Sequence, residues 1–399
     1  MLQMVGGQRY RGHDVAPCNL TSYLASSQLR GHEVRVPRRL EDRLVLGSVL
    51  CSTDDEYPAI GPDLSAPAST INPEPPTYCL RFCPVPGYHH LLGLANEDGR
   101  VAVQDTSRVL PKIPLTGHPC HDNAIFDIAW SPKNVKNMVT VSGDMKVRLW
   151  DLSTSDLETM TQVREFGGHS RSVKCVEWRP GSDSQFCTGA RDNTIMLWDI
   201  RDRSDTSPDN VIRGAHGVCG GGLTKRRRET ESLSAGVVTS LAWVDENILA
   251  SAGDKDGAVK LWDLRKNYSL YRGEPVPVTE FLHPGDSSTV GYTSLASLPG
   301  SRQVFASCMD DKIYRYNTLG ADCDRKPAAV YTGSRVTNFF IKMSVSPCGR
   351  YMAGGSADNW AHIWSLDSPG APIARSVIIT RFCLSLWLRE ISLYYVIDQ

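Results

Sequence analysis

The chain has 399 residues, 43 Lys and Arg against 44 Asp and Glu, a formal net charge of -1 and a hydrophobic fraction of 41%. Its length allows a substantial buried core, and its balanced charge argues against a surface devoted to nucleic acid or anionic membrane. The 12 cysteines include no CxxC pair, and Cys175, Cys187 and Cys308 sit in apolar runs, as small hydrophobes of a reduced intracellular chain do.

Residues 1–75 are irregular, Arg-rich early and rich in Pro, Ser and Asp from Asp54 to Pro76, so a loose N-terminal arm is expected. Within it, Leu44 to Leu50 is apolar enough to add one strand. Met1-Leu2-Gln3-Met4 lacks the charged and apolar regions of a signal peptide, so none is expected there.

From residue 76 one cadence recurs. Tyr78 to Asp105 is a degenerate first unit that turns at Asn96-Glu97-Asp98-Gly99. In the second, Phe126 to Trp130 alternates at period two and Ser131-Pro132 breaks it. Met138 to Val141 follows, Gly143-Asp144 turns, and Val147 to Asp151 closes the unit. The third opens on Val173 to Trp178 and closes on Ile195 to Asp199; the fourth runs from Val238 to Asp263. Tyr292 to Asn317 is a degenerate fifth, with Tyr316 in the tryptophan position, and the sixth closes on Ala361 to Ser365. Six units of about 40 to 50 residues, each with short strands and tight turns, predict an all-β WD40 propeller over residues 76–366.

The spacing within the units has a physical reason. An aspartate stands six residues before each closing tryptophan: Asp144 before Trp150, Asp192 before Trp198, Asp256 before Trp262 and Asp358 before Trp364. His121 and His169 stand nine residues before Trp130 and Trp178. A loop histidine can join the turn aspartate to a hydroxyl, Thr140 or Thr188, which in turn receives the indole N–H of Trp150 or Trp198. Such a relay satisfies buried polar groups and staples a blade, a structural role that outweighs any catalytic one. Ala252 and Gly354 stand where the hydroxyl is wanted, and Gly333-Ser334 replaces Gly-His, so those blades should be stapled less tightly.

Two stretches fall outside the cadence. Asp202 to Ala235 is polar, contains Gly217 to Gly222 and carries Lys225-Arg226-Arg227-Arg228, so residues 202–235 should form a disordered basic insert. The four cations are either a solvated loop or a nuclear-localisation or nucleic-acid patch. Residues 367–399 form an atypical apolar tail, interrupted by Arg381, Arg389 and Glu390, which does not read as a membrane span.

Motifs for chemistry are missing: there is no GxxxxGK[ST], no HExxH and no GxSxG. His118, Cys120 and His121 amount to half a metal site without a second pair. A non-catalytic binding module with no cofactor and no metal is expected, its specificity carried by loops and the channel rim.

Ser251 to Tyr268, which includes Asp254-Lys255-Asp256-Gly257 and Leu264-Arg265-Lys266-Asn267-Tyr268, closely resembles the Denticleless proteins. Leu94 to Gly99, Phe186 to Gly189 and Tyr271 to Pro275 share the likeness, which spans about residues 75 to 366. These proteins are substrate receptors of cullin-RING ligases of the cullin-4 type. The resemblance implies that Trp198-Asp199-Ile200-Arg201 and Trp262-Asp263-Leu264-Arg265 dock a propeller-type adaptor that leads to the cullin. It implies substrates that are replication-licensing and cell-cycle proteins, caught on the DNA sliding clamp and presented for polyubiquitylation in DNA replication or after DNA damage. It also implies a nuclear location, with Lys225, Arg226, Arg227 and Arg228 where the family carries its import signal.

The chain departs from the family after Trp364, where a further repeat and a long disordered tail are expected; six blades of an expected seven are recognisable. The alternative is a nuclear WD-repeat chromatin scaffold without a ligase. That alternative would use the basic loop for nucleic acid, whereas the receptor reading expects no direct nucleic-acid binding, and neither calls for a membrane.

Overall fold

The computed structural model describes residues 75–106, 117–152, 159–201, 206–217, 236–270, 275–285, 290–298, 300–318, 326–346, 348–358 and 360–377. The expectations for the N-terminal arm up to residue 74, for Lys225 to Arg228 and for the tail beyond Val377 lie outside these residues.

The described strands form six four-stranded antiparallel sheets, each a meander in chain order. Blade 1 holds β1 (Thr77–Phe82), β2 (Leu91–Asn96), β3 (Arg100–Asp105) and β4 (His118–Pro119), and blade 2 holds β5 (Ile125–Trp130), β6 (Asn137–Ser142), β7 (Val147–Leu152) and β8 (Met160–Phe166). Blade 3 holds β9 (Val173–Trp178), β10 (Gln185–Ala190), β11 (Thr194–Asp199) and β12 (Asn210–Arg213). Blade 4 holds β13 (Val238–Trp243), β14 (Ile248–Gly253), β15 (Ala258–Asp263) and β16 (Thr279–Leu282). Blade 5 holds β17 (Tyr292–Leu298), β18 (Gln303–Cys308), β19 (Lys312–Asn317) and β20 (Ala329–Thr332). Blade 6 holds β21 (Met343–Val345), β22 (Tyr351–Gly355), β23 (Trp360–Ser365) and β24 (Ala374–Val377). This is a six-bladed WD40 propeller arrangement.

The first strand of each blade is innermost and packs beside the first strand of the next. Such a strand is covered on both faces, which explains why all six residues of β13 are buried. Indole N–H groups tie successive blades: Trp130 donates to the Arg81 carbonyl at 3.0 Å and Trp178 to that of Ala129 at 3.0 Å. Arg81 on β1 pairs with Glu177 on β9 at 2.6 Å, reaching across Asp127 on β5. At the other end of the series, Phe340 stacks on Tyr78 of blade 1, with ring centroids 4.9 Å apart. The closing tryptophans Trp198, Trp262 and Trp364 are fully buried between sheets, and truncating such a residue to alanine costs about 3–5 kcal/mol.

Two boundaries differ from the expectation. β12 lies inside the stretch 202–235 expected to be a disordered loop, because an outer strand needs few apolar residues and buried Val211 and Ile212 suffice. β24 falls in the expected tail, where its backbone pairs with β23 and completes the last blade. Among the described residues no helix is long and apolar enough to cross a membrane.

Candidate functional site

Because each sheet is a meander, the loop entering a blade and its β-turn between second and third strands share one edge. The first-to-second connection and the chain leaving the third strand share the other. The relay lies at the first edge. In blade 2, His121 Nδ1 donates to Asp144 at 2.8 Å, the Thr140 hydroxyl donates to His121 Nε2 at 2.6 Å, and Trp150 Nε1 donates to Thr140 at 2.9 Å. This assignment uses every proton of the set. Blade 3 repeats it: His169 lies 3.1 Å from Asp192, the Thr188 hydroxyl 2.7 Å from His169, and Trp198 Nε1 2.8 Å from Thr188. Burial opposes ionisation of Asp144 and Asp192, but the hydrogen bond from each histidine, joined by backbone N–H donors, outweighs it and holds both carboxyls below their ordinary value.

Blade 4 corrects the expectation of looser stapling. His216 donates to Asp256 at 2.8 Å, and Ser251 stands 2.7 Å from His216 and 2.8 Å from Trp262 Nε1. The turn here is one residue longer, so the hydroxyl sits at Ser251 rather than at position 252. Gly253 lets the imidazole lie against the backbone, for a Cβ there would meet His216 Cγ at 2.6 Å. Asp256 is likewise held low: burial opposes, while His216 and then Lys260 prevail.

Blade 6 departs the other way. Asp358 meets His362 of its own third strand at 3.0 Å, and Trp364 donates to the Thr332 carbonyl at 2.9 Å, so the relay expected of Asp358 and Trp364 does not form. No hydroxyl is available at Gly354 to join them. In blade 5, His283, Cys308 and Asp310 bring ligand atoms within 4.8 Å of one another. His283 and Asp310 take relay positions there, the Tyr314 hydroxyl donates to Asp310, and burial pushes the Cys308 thiol well up, away from the thiolate a metal needs. His118, Cys120 and His121 are not gathered as ligands, since both ring nitrogens of His121 serve the relay and buried Cys120 offers its carbonyl to Arg148.

The other edge carries the two Trp-Asp-x-Arg motifs, in adjacent blades. Trp198 is buried, Asp199 is largely covered, Ile200 packs back on the core and Arg201 is exposed. Arg201 Nε donates to both Asp199 oxygens at 3.0 Å. Asp263 receives Arg265 Nε at 2.9 Å and Nη2 at 2.7 Å, while Leu264 packs inward. The guanidinium side chains are 72% and 68% exposed, so each aspartate aims a fork that remains open to a partner. At Asp199 burial resists ionisation and the Arg201 hydrogen bonds prevail; at Asp263 the Arg265 hydrogen bond leads, and both carboxyls are held low.

Sequence reasoning missed the residue that joins these motifs. Arg179 donates to the Glu246 carbonyl and to Asn247 Oδ1, each at 2.7 Å, and to Gln185 Oε1 at 2.6 Å. Gln185 in turn donates to Asp199 at 3.0 Å, and the Asn247 carbonyl accepts from the Leu264 N–H at 2.9 Å. A continuous polar chain thus fixes one arginine fork relative to the other. Beyond Arg265, Tyr268 is buried edge-on to Trp262, and its N–H binds Asn210 of β12. Only the position of Arg179 just after Trp178 hinted at this role.

The family described as WD domain, G-beta repeat matches residues 112–151, 160–199, 228–263 and 325–365. Protein lethal(2)denticleless of Drosophila melanogaster is 36% identical over 336 residues, which is 80% of this chain and 42% of that protein. Denticleless protein homolog A of Xenopus laevis is 38% identical over 81% of this chain and 45% of its own length. The Denticleless protein homolog of Homo sapiens is 35% identical over 84% of this chain and 46% of its own. The chain spans less than half the length of these curated relatives.

Proposed function

Because the chain belongs, over the four-fifths that match, to the Denticleless family of WD-repeat proteins, we propose that it is a substrate-recognition subunit of a cullin-RING E3 ubiquitin ligase. In this reading it is a non-catalytic receptor that docks a propeller-type adaptor and, through it, the cullin. It presents sliding-clamp-bound replication-licensing and cell-cycle proteins for polyubiquitylation in the nucleus.

The observation that carries the reading is the repeated Asp–Arg pair. Two exposed guanidinium forks stand in adjacent blades, on one edge, each oriented by a carboxylate two residues before it. A preorganised fork loses little side-chain freedom on meeting a carboxylate or carbonyl of a partner, so two of them suit a specific polar contact. Stapling the blade uses the tryptophan, the sheet and the relay at the other edge; it gives the arginines no work.

The test is recovery of the adaptor from nuclear extract by the full chain beside an Arg201→Glu, Arg265→Glu variant. The adaptor should accompany the unaltered chain alone. A soluble, folded chain that recovers no adaptor would refute the receptor role. Salt-sensitive retention on DNA in that case would favour the chromatin scaffold.

A further inference from the structure

The edge opposite Arg201 and Arg265 gathers cations that no carboxylate neutralises. Arg171, in the loop entering β9, and Arg191, in the turn after β10, are exposed, and among the described residues neither side chain is engaged in an ion pair or hydrogen bond. With Ser170, Ser172, Gly143 and Met145 they line one shallow, open cavity. Next to it, Lys174 holds its ammonium 3.2 Å from the centre of the Phe126 ring. Burial first, then the charges of Arg191 and Lys342, lower Lys174 to about 8. Lys342 itself is turned to the Thr293 carbonyl, at 3.1 Å.

The acids nearby are committed elsewhere. Asp192 accepts from His169, from the Thr194 hydroxyl and from the Ser170 N–H. Glu165 is held by Lys146 and Arg148. Like charges brought together in a fold repel one another, and the arrangement is relieved when an anion joins it.

We propose that the cavity between Arg171 and Arg191 binds the phosphoryl group of a phosphoserine or phosphothreonine in an extended segment of a partner protein. A phosphomonoester brings about -1.5 to -2 charges and three acceptor oxygens, which match two forked guanidinium groups better than a single carboxylate does. Met145, 45% exposed at the rim, offers apolar contact to the side chain beside the phosphorylated residue. A nucleic-acid strand fits less well, since it needs cations in a stripe along several phosphates, whereas these cluster around one cavity. The inference does not depend on the adaptor, which would occupy the opposite edge.

The immobilised full chain is offered a peptide pool with a fixed phosphoserine or phosphothreonine and degenerate flanks, beside the same pool without phosphate. The phosphorylated pool should be retained roughly tenfold better, a preference lost in Arg171→Ala, Arg191→Ala and kept in Lys133→Ala on the opposite edge. Both arginines are exposed, so the double variant should melt with the unaltered chain and still recover the adaptor. Equal retention of the two pools, or a preference that survives the double variant, overturns the proposal. So does displacement by a single-stranded oligonucleotide at equal concentration, which would assign the cavity to nucleic acid.

Discussion

His216 and Asp256 are separated by 40 residues of chain, yet the imidazole Nδ1 lies 2.8 Å from the carboxylate. The histidine follows β12 of blade 3, the aspartate turns blade 4, and their bond closes blade 4 onto the end of blade 3. The relay is therefore a link between blades as well as a staple within one.

Removing that link should be costly. His216→Ala leaves Asp256 buried without its main donor and is expected to destabilise the protein by about 1.5–3 kcal/mol, the range for hydrogen bonds to charged groups. Gly253→Ala should approach the same loss, because its methyl group would occupy the imidazole's place. Urea denaturation of the two variants measures both. If either midpoint stays at that of the unaltered chain, the relay in blade 4 carries no weight.

The one-residue offset in blade 4 has a distinctive consequence. Ser251→Ala should cost about 1–3 kcal/mol by stranding the indole of Trp262 and the imidazole of His216. Adding Ala252→Ser should not restore it, since neighbouring residues on a strand face opposite sides. Recovery of the melting temperature in the double variant would contradict this register.

Acid should loosen the blades in a predictable direction. Asp144, Asp192 and Asp256 have folded values held below their ordinary 3.8, so their contribution is complete above that value and lost as pH falls through the lower folded ones. Stability from these groups is flat from neutrality down to about pH 5 and declines below about pH 4. Asp192→Asn should be less stable at neutral pH and show a shallower acid decline. An acid profile as steep as that of the unaltered chain would remove Asp192 from the account.

The edge that carries the arginine forks should separate binding from folding. Arg201→Ala and Arg265→Ala change exposed side chains and should leave the melting temperature close to that of the unaltered chain while weakening adaptor recovery. Arg179→Met should also weaken recovery, although Arg179 acts through Gln185 and Asn247 to position the forks. Restoration by Arg179→Lys would show that charge alone suffices there, against a role for its three-way geometry.

Much of the fold was legible because propeller spacing is rigid. Six residues from Asp144 to Trp150, or Asp192 to Trp198, is the length of one turn and one strand, so the repeat exposes itself at constant register. His216 was not legible, since a long insert separates it from its blade and breaks the spacing by which His121 and His169 were found. Ser251 was hidden by the longer turn. Asp358 and Trp364 kept the spacing but lost the histidine and hydroxyl that give it meaning.

By itself the sequence determined the strand cadence, six recognisable blades and the two Trp-Asp-x-Arg motifs, all of which depend on residues close together in the chain. Tertiary structure alone decided that Arg179 links the two forks and that Arg171 and Arg191 share a cavity. It also decided that this cavity lies on the edge away from Arg201. Those relations join separate loops and blades, and no local spacing encodes them because only the closing of sheet against sheet brings the residues together.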